Sequence, residues 1–230
     1  NMQLTAEAPG IGMPTIADEL QCKGNTDLPM GEFWVGRPTD NADPKEAASA
    51  AHIFGTNIAG TESFTATPDQ ASWKNDPFSL KQQGDEEYCI GVNRFIFHRY
   101  AHQPWLDRVP GMTMGPWGIN FERTNTWFEQ ARAWITYLSR CQYMLQRGKF
   151  VADLCYYYGQ GAPIELQPGR LHPKPPAGYD YDGCDAGILL NHMHVKNGRI
   201  VLDSGMSYRM LVLPDSAGMT PQVAMKIKQL

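Results

Sequence analysis

The sequence lacks the features that most directly identify a nucleic-acid-binding or membrane protein. No cluster of lysine and arginine stands out, and the formal net charge of the 230 residues is −4. A nucleic-acid partner is therefore not indicated. No apolar run approaches the roughly 18 residues that a membrane span requires. We expect a globular protein with no nucleic-acid partner and no membrane span.

The sequence also has no CxxC motif, and its first residues do not resemble a signal peptide. The cysteines are odd in number, far apart and without a CxxC pair, which argues against a zinc site or a disulfide framework and for buried free thiols. They are Cys22, Cys89, Cys141, Cys155 and Cys184. The first residues, NMQLTAEAPG, lack the basic region and apolar core of a signal peptide. Because the last residues, AMKIKQL, read as an interrupted helix, both ends suggest an excerpt from a longer protein.

A glycine-rich phosphate loop is absent after every predicted strand, which counts against a nucleotide-binding fold in the first half. Instead, strands and helices alternate with a period of about 30 residues, as in βαβ units around a parallel sheet. Strands are predicted over residues 2–6, 28–35, 57–65 and 92–98. Helices are predicted over 14–22, from Pro44 to a stop at Gly55, and over 77–88.

The position of the polar residues selects between an open Rossmann-type sheet and a barrel. Side chains capable of catalysis follow the predicted strands at their carboxyl ends, namely Glu7, Glu32, Glu62, His98 and Arg99. In (β/α)8 barrels this end carries the active site. We therefore predict that residues 1–147 form the C-terminal half of a (β/α)8 TIM-type barrel.

Helix-capping residues mark where the predicted helices begin. Thr15, Asp43 (before Pro44) and Thr126 are each followed by helix-forming sequence, so we predict them as N-caps. The third begins a helix over residues 127–145 with one apolar stripe. The preceding Pro/Gly/Trp-rich segment, 101–126, is predicted to be an ordered functional loop because connections of this length are otherwise uncommon.

The pattern changes after residue 147. A strand within 150–159 is followed by a proline-rich linker, two strands within 198–214 and a helix from Pro221. We interpret residues 148–230 as the start of a second α/β domain, Rossmann- or flavodoxin-like, with a parallel sheet. The helix over 127–145 is expected to join it to the barrel.

Two carboxylates on adjacent strand ends suggest glycoside hydrolysis, in which one acid protonates the leaving oxygen and the other activates water or attacks the sugar. Glu32 and Glu62 are the candidates. For Glu7 we favour a structural role, bonded to a neighbouring loop. Further candidates could bind sugar hydroxyls or stack on a sugar ring, although each also fits a structural role in a strand end, loop or helix cap: His98, Arg99, His102, Trp105, Trp117 and Asn125.

Several long blocks in one order carry a family resemblance. DLPMGEFW, GTESFTA, GVNRFIFHRYAHQPW, PGMTMGPWGINFERTNTWF and YLSRCQYMLQRGKFVADLCYYYG resemble the α-L-rhamnosidases of glycoside hydrolase family 106, and SGMSYRMLVLP extends the similarity into the second domain. The resemblance implies a multidomain, secreted or periplasmic enzyme with a (β/α)8 catalytic barrel. Such an enzyme removes terminal α-L-rhamnose from plant or microbial oligo- or polysaccharides with inversion, using two glutamates and a calcium ion near the sugar.

The resemblance also implies roles for the residues. Glu62 of the TESFT block corresponds to the general base, and Glu32 of the GEFW block to a second carboxylate that supports the base, the sugar or the calcium. The general acid is expected on an earlier strand, before Asn1. Two alternatives stay open: a β-galactosidase-like barrel hydrolase in which Glu32 and Glu62 are the acid–base pair, and a carbohydrate-binding relative without catalysis.

Overall fold

The computed structural model describes residues 2–7, 14–37, 42–216 and 218–230. Its first sheet has four parallel strands in sequence order, β1 to β4. The strands are β1 (Thr5–Glu7), β2 (Leu28–Trp34), β3 (Gly60–Thr65) and β4 (Arg94–Phe97). Three helices connect them: α1 (Glu19–Gly24), α2 (Ala42–Phe54) and α3 (Pro77–Ile90). The predicted βα units around a parallel sheet are confirmed.

Two predicted helix starts are wrong because the side chains concerned make other contacts. The α1 helix begins at Glu19 with Asp18 as N-cap, while the Thr15 hydroxyl hydrogen-bonds Glu19 at 2.7 Å and the distant Glu165 at 3.1 Å. The α2 helix begins at Ala42, so Asp43 lies inside the first turn and its carboxylate contacts other elements.

The alanine-rich sequence of α2 allows close packing on two sides. Ala48 and Ala51 contact Ala59, just before β3. On another side, Ala50 and Ile53 belong to a core shared with residues beyond 150. Small side chains let the helix axis approach both partners, which explains why so many alanines occur in one buried helix.

Aromatic residues dominate the core between the first sheet and its helices. Phe33, Phe64 and Phe95 contact one another edge to face. The helix α4 (Arg132–Leu145) covers this core with Trp134 and Leu138, which are buried as the predicted stripe requires. Thr126 is not its cap, because a 3₁₀ turn over Glu129–Ala131 precedes the first α-helical residue.

The second part of the chain contains both parallel and antiparallel strands. They are β5 (Leu154–Tyr157), β6 (Tyr181–Cys184), β7 (Met193–Lys196), β8 (Arg199–Leu202), β9 (Ser207–Tyr208) and β10 (Met210–Val212), with helices α5 (Ala186–Asn191) and α6 (Pro221–Gln229). The strands β10, β5 and β6 form a parallel sheet, as predicted. The antiparallel sheet of β7, β8 and β9 was not predicted.

The helix α2, rather than the helix over 127–145, forms the main connection between the two parts. Its His52 Nδ1 lies 2.7 Å from Asp182 of β6, and Lys45 lies 2.7 Å from Asp180. The Ser49 hydroxyl accepts a hydrogen bond from the Gly183 amide. The boundary at residue 147 stays a prediction.

Two further expectations concern membranes and thiols. Among the described residues, no helix combines the length and apolar character that crossing a membrane requires. All five cysteines are free thiols, as predicted, but only Cys155 and Cys184 are fully buried, and Cys89 is exposed.

Candidate active site

Three glutamates meet beside the carboxyl ends of the first three strands. Glu7 ends β1, and Glu32 of β2 lies directly opposite Glu62 of β3 in the parallel register. One carboxylate oxygen from each lies within 4.8 Å of the others. His98, just after β4, places its Nδ1 3.2 Å from Oε1 of Glu62. The structure thus brings together the four side chains that the strand ends placed on one rim.

Local irregularity of the strands shapes this rim. The register between β2 and β3 shifts after Glu32, so that Trp34 pairs with Thr65. Within this stretch Phe64 has a φ of 60° and its ring is fully buried. Such a bulge sends one side chain into the core and turns the next towards the rim, and the Thr65 hydroxyl accordingly donates a hydrogen bond to Glu62.

Glu7 is part of the carboxylate cluster, and the structural role favoured from sequence stays a prediction. Burial, followed by the charges of Glu62, Glu32 and Asp43, raises its pKa to about 7, and Lys23 acts in the opposite direction. Three carboxylates this close repel one another, so either a proton or a cation is needed for them to coexist.

His98 presents a neutral imidazole to Glu62. Burial lowers the pKa of His98, Glu62 opposes this and Arg99 adds to it. Although Nδ1 is close to Glu62, neither ring nitrogen has a hydrogen bond of good geometry to any described residue. The side chain of Glu62 is 25% exposed, so water or a ligand can reach it.

Glu32 is buried, and its backbone is held from α2. Its amide donates a 2.7 Å hydrogen bond to Oδ2 of Asp43. The other oxygen of Asp43 accepts from Lys23 Nζ at 2.5 Å. Lys23 is fully buried and lies within 4 Å of Glu19 and Glu46 as well. Burial disfavours its charge, but these carboxylates outweigh burial and raise the pKa of Lys23.

A loop segment pairs with the end of β4 and fixes His98 and Arg99. Ile119 N donates to His98 O at 2.9 Å, and Arg99 N donates to Ile119 O at 3.1 Å. Gly118 makes this approach possible, since its φ is +80° and a Cβ there would lie 2.6 Å from His98 O. The Arg99 guanidinium donates to Gly115 O at 3.0 Å.

The remaining predicted binding residues divide into two groups. Trp117 packs edge to face on Trp34, two residues beyond Glu32, with ring centroids 5.8 Å apart. In contrast, the contacts of the other group lie within the loop. His102 pairs with Met112 through backbone hydrogen bonds, the Asn125 amide donates to Asn120 O at 2.7 Å, and Trp105 is largely exposed. These three are not shown near the glutamates.

Sequence reasoning missed Asp43 and Lys23. The Asp-Pro pair at 43–44 is typical of a helix start. In the structure the Asp43 carboxylate instead accepts a hydrogen bond from the Glu32 amide of β2. For Lys23 the only local signal was Glu19 four residues earlier, which is a common surface pattern. Neither signal could reveal a buried network.

Comparisons with known proteins identify the family of the chain. The family profile of glycoside hydrolase family 106, described as alpha-L-rhamnosidase, matches residues 1–230. The solved rhamnosidase from Novosphingobium sp. PP1Y superimposes with a TM-score of 0.88 and is 31% identical, covering 98% of this chain and 22% of that one.

A curated protein of Formosa agariphila, named "Putative beta-glucuronidase", is 39% identical over 214 residues, which is 93% of this chain and 18% of that protein. The chain thus spans about a fifth of the length of each relative. Because the family profile covers the whole sequence, the chain belongs to glycoside hydrolase family 106, the alpha-L-rhamnosidase family.

Proposed function

We propose that the protein is an α-L-rhamnosidase that removes terminal α-L-rhamnose from plant or microbial glycans by an inverting mechanism. The observation that carries this proposal is the convergence of Glu7, Glu32 and Glu62 on one rim of a parallel sheet. Residues 1–147 then correspond to half of a (β/α)8 barrel, whose carboxyl end is where such enzymes place their active sites. Family membership and the likeness to a solved rhamnosidase support the substrate class.

Glu62 is proposed as the general base. It is the more exposed member of the Glu32–Glu62 pair, and Thr65 holds its carboxylate in place. In the reaction it accepts the proton of the water that attacks the anomeric carbon. Because burial lowers the pKa of His98, its neutral form is favoured, and no ion pair with an imidazolium weakens Glu62 as a base.

The spacing of the glutamates limits which group can be the general acid. In inverting enzymes the acid and base stand roughly 6.5–9.5 Å apart, leaving room for the water. Oxygens of Glu32 and Glu7 lie within 4.8 Å of an oxygen of Glu62. The acid is therefore proposed to be another carboxyl group, across the sugar from Glu62, and Glu32 serves to place the sugar or a cation.

Substrate contacts are proposed at two distances from the glutamates. His98, Arg99 and Trp117 lie on or next to the rim and would bind the sugar directly. His102, Trp105 and Asn125 belong to the loop over 101–126 and would act at its edge or by shaping it.

Calcium is the proposed cofactor, and the donor set fits it. Ca²⁺ prefers carboxylate oxygens in a flexible arrangement, and the close oxygens of Glu7 and Glu32 would hold it beside Glu62. When bound, the ion would supply positive charge that orients sugar hydroxyls. A secreted or periplasmic location is proposed on the same family grounds.

The test is turnover of an aryl α-L-rhamnoside by the full-length enzyme, with the product anomer identified by NMR in the first minutes. We expect the inverted anomer and a loss of about 10²–10⁴ in rate for Glu62→Gln, with sugar binding changed much less. Glu32→Gln should alter substrate affinity as well as turnover. Near-normal turnover of Glu62→Gln beside an inactive Glu32→Gln would transfer the role of base to Glu32.

A second candidate is a barrel glycosidase in which Glu32 and Glu62 themselves form the catalytic pair. Their separation favours it, since retaining enzymes hold the two carboxyl groups about 5–5.5 Å apart. The name of the Formosa agariphila relative points to a β-glucuronide as the substrate to compare. Hydrolysis of an aryl β-D-glucuronide with retention, and none of the rhamnoside, would establish this alternative.

A further inference from the structure

The first turn of α2 lies directly against the strand that carries Glu32. A Cβ added to Gly31 would lie 2.6 Å from the backbone oxygen of Asp43 and 2.7 Å from its carbonyl carbon. Only glycine permits so close an approach at the residue before Glu32. The start of α2 is thus seated on the backbone of the active-site strand.

Asp43 joins this contact to a buried cation. Each of its carboxylate oxygens accepts from a different donor, Oδ1 from Lys23 Nζ and Oδ2 from the Glu32 amide. Lys23 belongs to α1, so three elements meet at one carboxylate. Because Lys23 and Asp43 are both buried, neither can satisfy its charge with water if the contact breaks.

We propose that Asp43, anchored by Lys23, is a positioning residue for Glu32: it fixes the backbone of β2 at that point and thereby the place of the Glu32 carboxylate on the rim. The inference rests on the proposed role of Glu32 in the reaction. Asp43 itself holds the backbone amide rather than the carboxylate of Glu32, so it acts through Glu32.

The chain supplies a matched control in Glu46. It lies in the same buried cluster and also accepts two hydrogen bonds, from Lys23 Nζ at 3.2 Å and from the Leu166 amide at 2.8 Å. The two acids differ in their backbone partner: Asp43 accepts from the Glu32 amide, and Glu46 accepts from the Leu166 amide. An amide side chain has only one acceptor atom, so Asp43→Asn and Glu46→Gln each break one of two links without changing shape.

The experiment compares Asp43→Asn, Glu46→Gln and Glu32→Gln in the full-length enzyme on an aryl α-L-rhamnoside, with melting temperatures measured in parallel. We expect Asp43→Asn to lose about tenfold to a hundredfold in kcat/KM, because misplacing a reacting group by about 1 Å has this order of effect. The loss in Asp43→Asn should be shared between kcat and KM in the same proportion as the loss in Glu32→Gln. Glu46→Gln should stay within about threefold of wild type at a temperature where all variants are folded.

Gly31→Ala provides a second perturbation if Asp43→Asn does not fold. It displaces the start of α2 by steric contact and leaves every charge in place, and the same kcat/KM division is expected. Equal losses in Asp43→Asn and Glu46→Gln, or normal turnover in Gly31→Ala, would overturn the positioning role. A normal Glu32→Gln enzyme would instead refute the proposed role of Glu32, so the two failures are distinguishable.

Discussion

Glu87 gives the sharpest stability prediction. It lies on the face of α3 that carries Leu80 and Gly84, against the aromatic core, and is fully buried. Neither carboxylate oxygen has a hydrogen-bond partner among the described residues. Burial, with a smaller effect of Glu86, raises its pKa from 4.5 to about 8. The carboxyl group is therefore mainly protonated in the folded protein at pH 7.

The sign of the pH effect follows from proton binding. Between pH 4.5 and 8 the folded state holds a proton that the unfolded state releases, so stability falls as the pH rises through this window. With 1.36 kcal/mol for each pKa unit, the loss at pH 7 is about 3 kcal/mol, whereas at pH 5 it is only about 1 kcal/mol. Glu87→Gln has the same shape and no titration.

The assay is urea unfolding of wild type and Glu87→Gln at pH 5, 7 and 8. The variant should be the more stable form, and its advantage should grow with pH by about 2 kcal/mol between pH 5 and 7. Glu86→Gln, a less buried neighbour, is the control: it keeps the Glu87 carboxyl group and should therefore retain most of the pH dependence of wild type. If the advantage of Glu87→Gln were the same at every pH, Glu87 would not be a buried, protonated carboxyl group.

Three further predictions concern the rim and the second part of the chain. Gly118→Ala should destabilise by about 1–3 kcal/mol and lower turnover, since it forces a left-handed φ and a clash with His98 O; normal turnover would show that the loop does not position His98. Asp182→Asn should cost about 2–4 kcal/mol. Burial would raise the pKa of Asp182, but His52 and its other partners outweigh burial and lower it, so the difference from wild type should shrink as the pH falls below the ordinary pKa near 4 towards the lower pKa of the folded state. A difference that does not shrink between pH 5 and pH 3 would refute this. Calcium should raise the melting temperature of wild type and not of a Glu7→Gln, Glu32→Gln double variant. An equal rise in both would show that calcium binds at a different site.

The strand ends were predictable because parallel strands deliver their carboxyl ends to one edge. That rule places Glu32, Glu62 and His98 together without any knowledge of packing. The same rule places Glu7 beside them, but it does not report the burial that is the main cause of the raised pKa of Glu7.

Other features could have been predicted from the sequence but were not, or depend on packing alone. Asn197 and Gly198 both have positive φ and form the two-residue turn between β7 and β8. An Asn-Gly pair is a recognised signal for a hairpin, and it was not applied to this part of the sequence. Thr15 and Asp43 have good capping side chains, yet their oxygens make tertiary contacts with Glu165 and the Glu32 amide, and local propensity cannot weigh that competition. The contacts of His102 and Asn125 within the loop also depend on a path that no periodicity describes.

The helix α2 packs against both parallel sheets, so the second part of the chain cannot be exchanged for another domain without affecting the first. A 13-residue helix is a stiff rod of about 20 Å, and α2 bears Asp43 at its start and His52 near its end. A rigid-body shift of β6 would therefore be transmitted along the rod to the strand of Glu32. Replacing residues 148–230 with an unrelated domain would also expose the faces of Ala50 and Ile53 to water. The rim and the second part of the chain are therefore expected to fold as one unit.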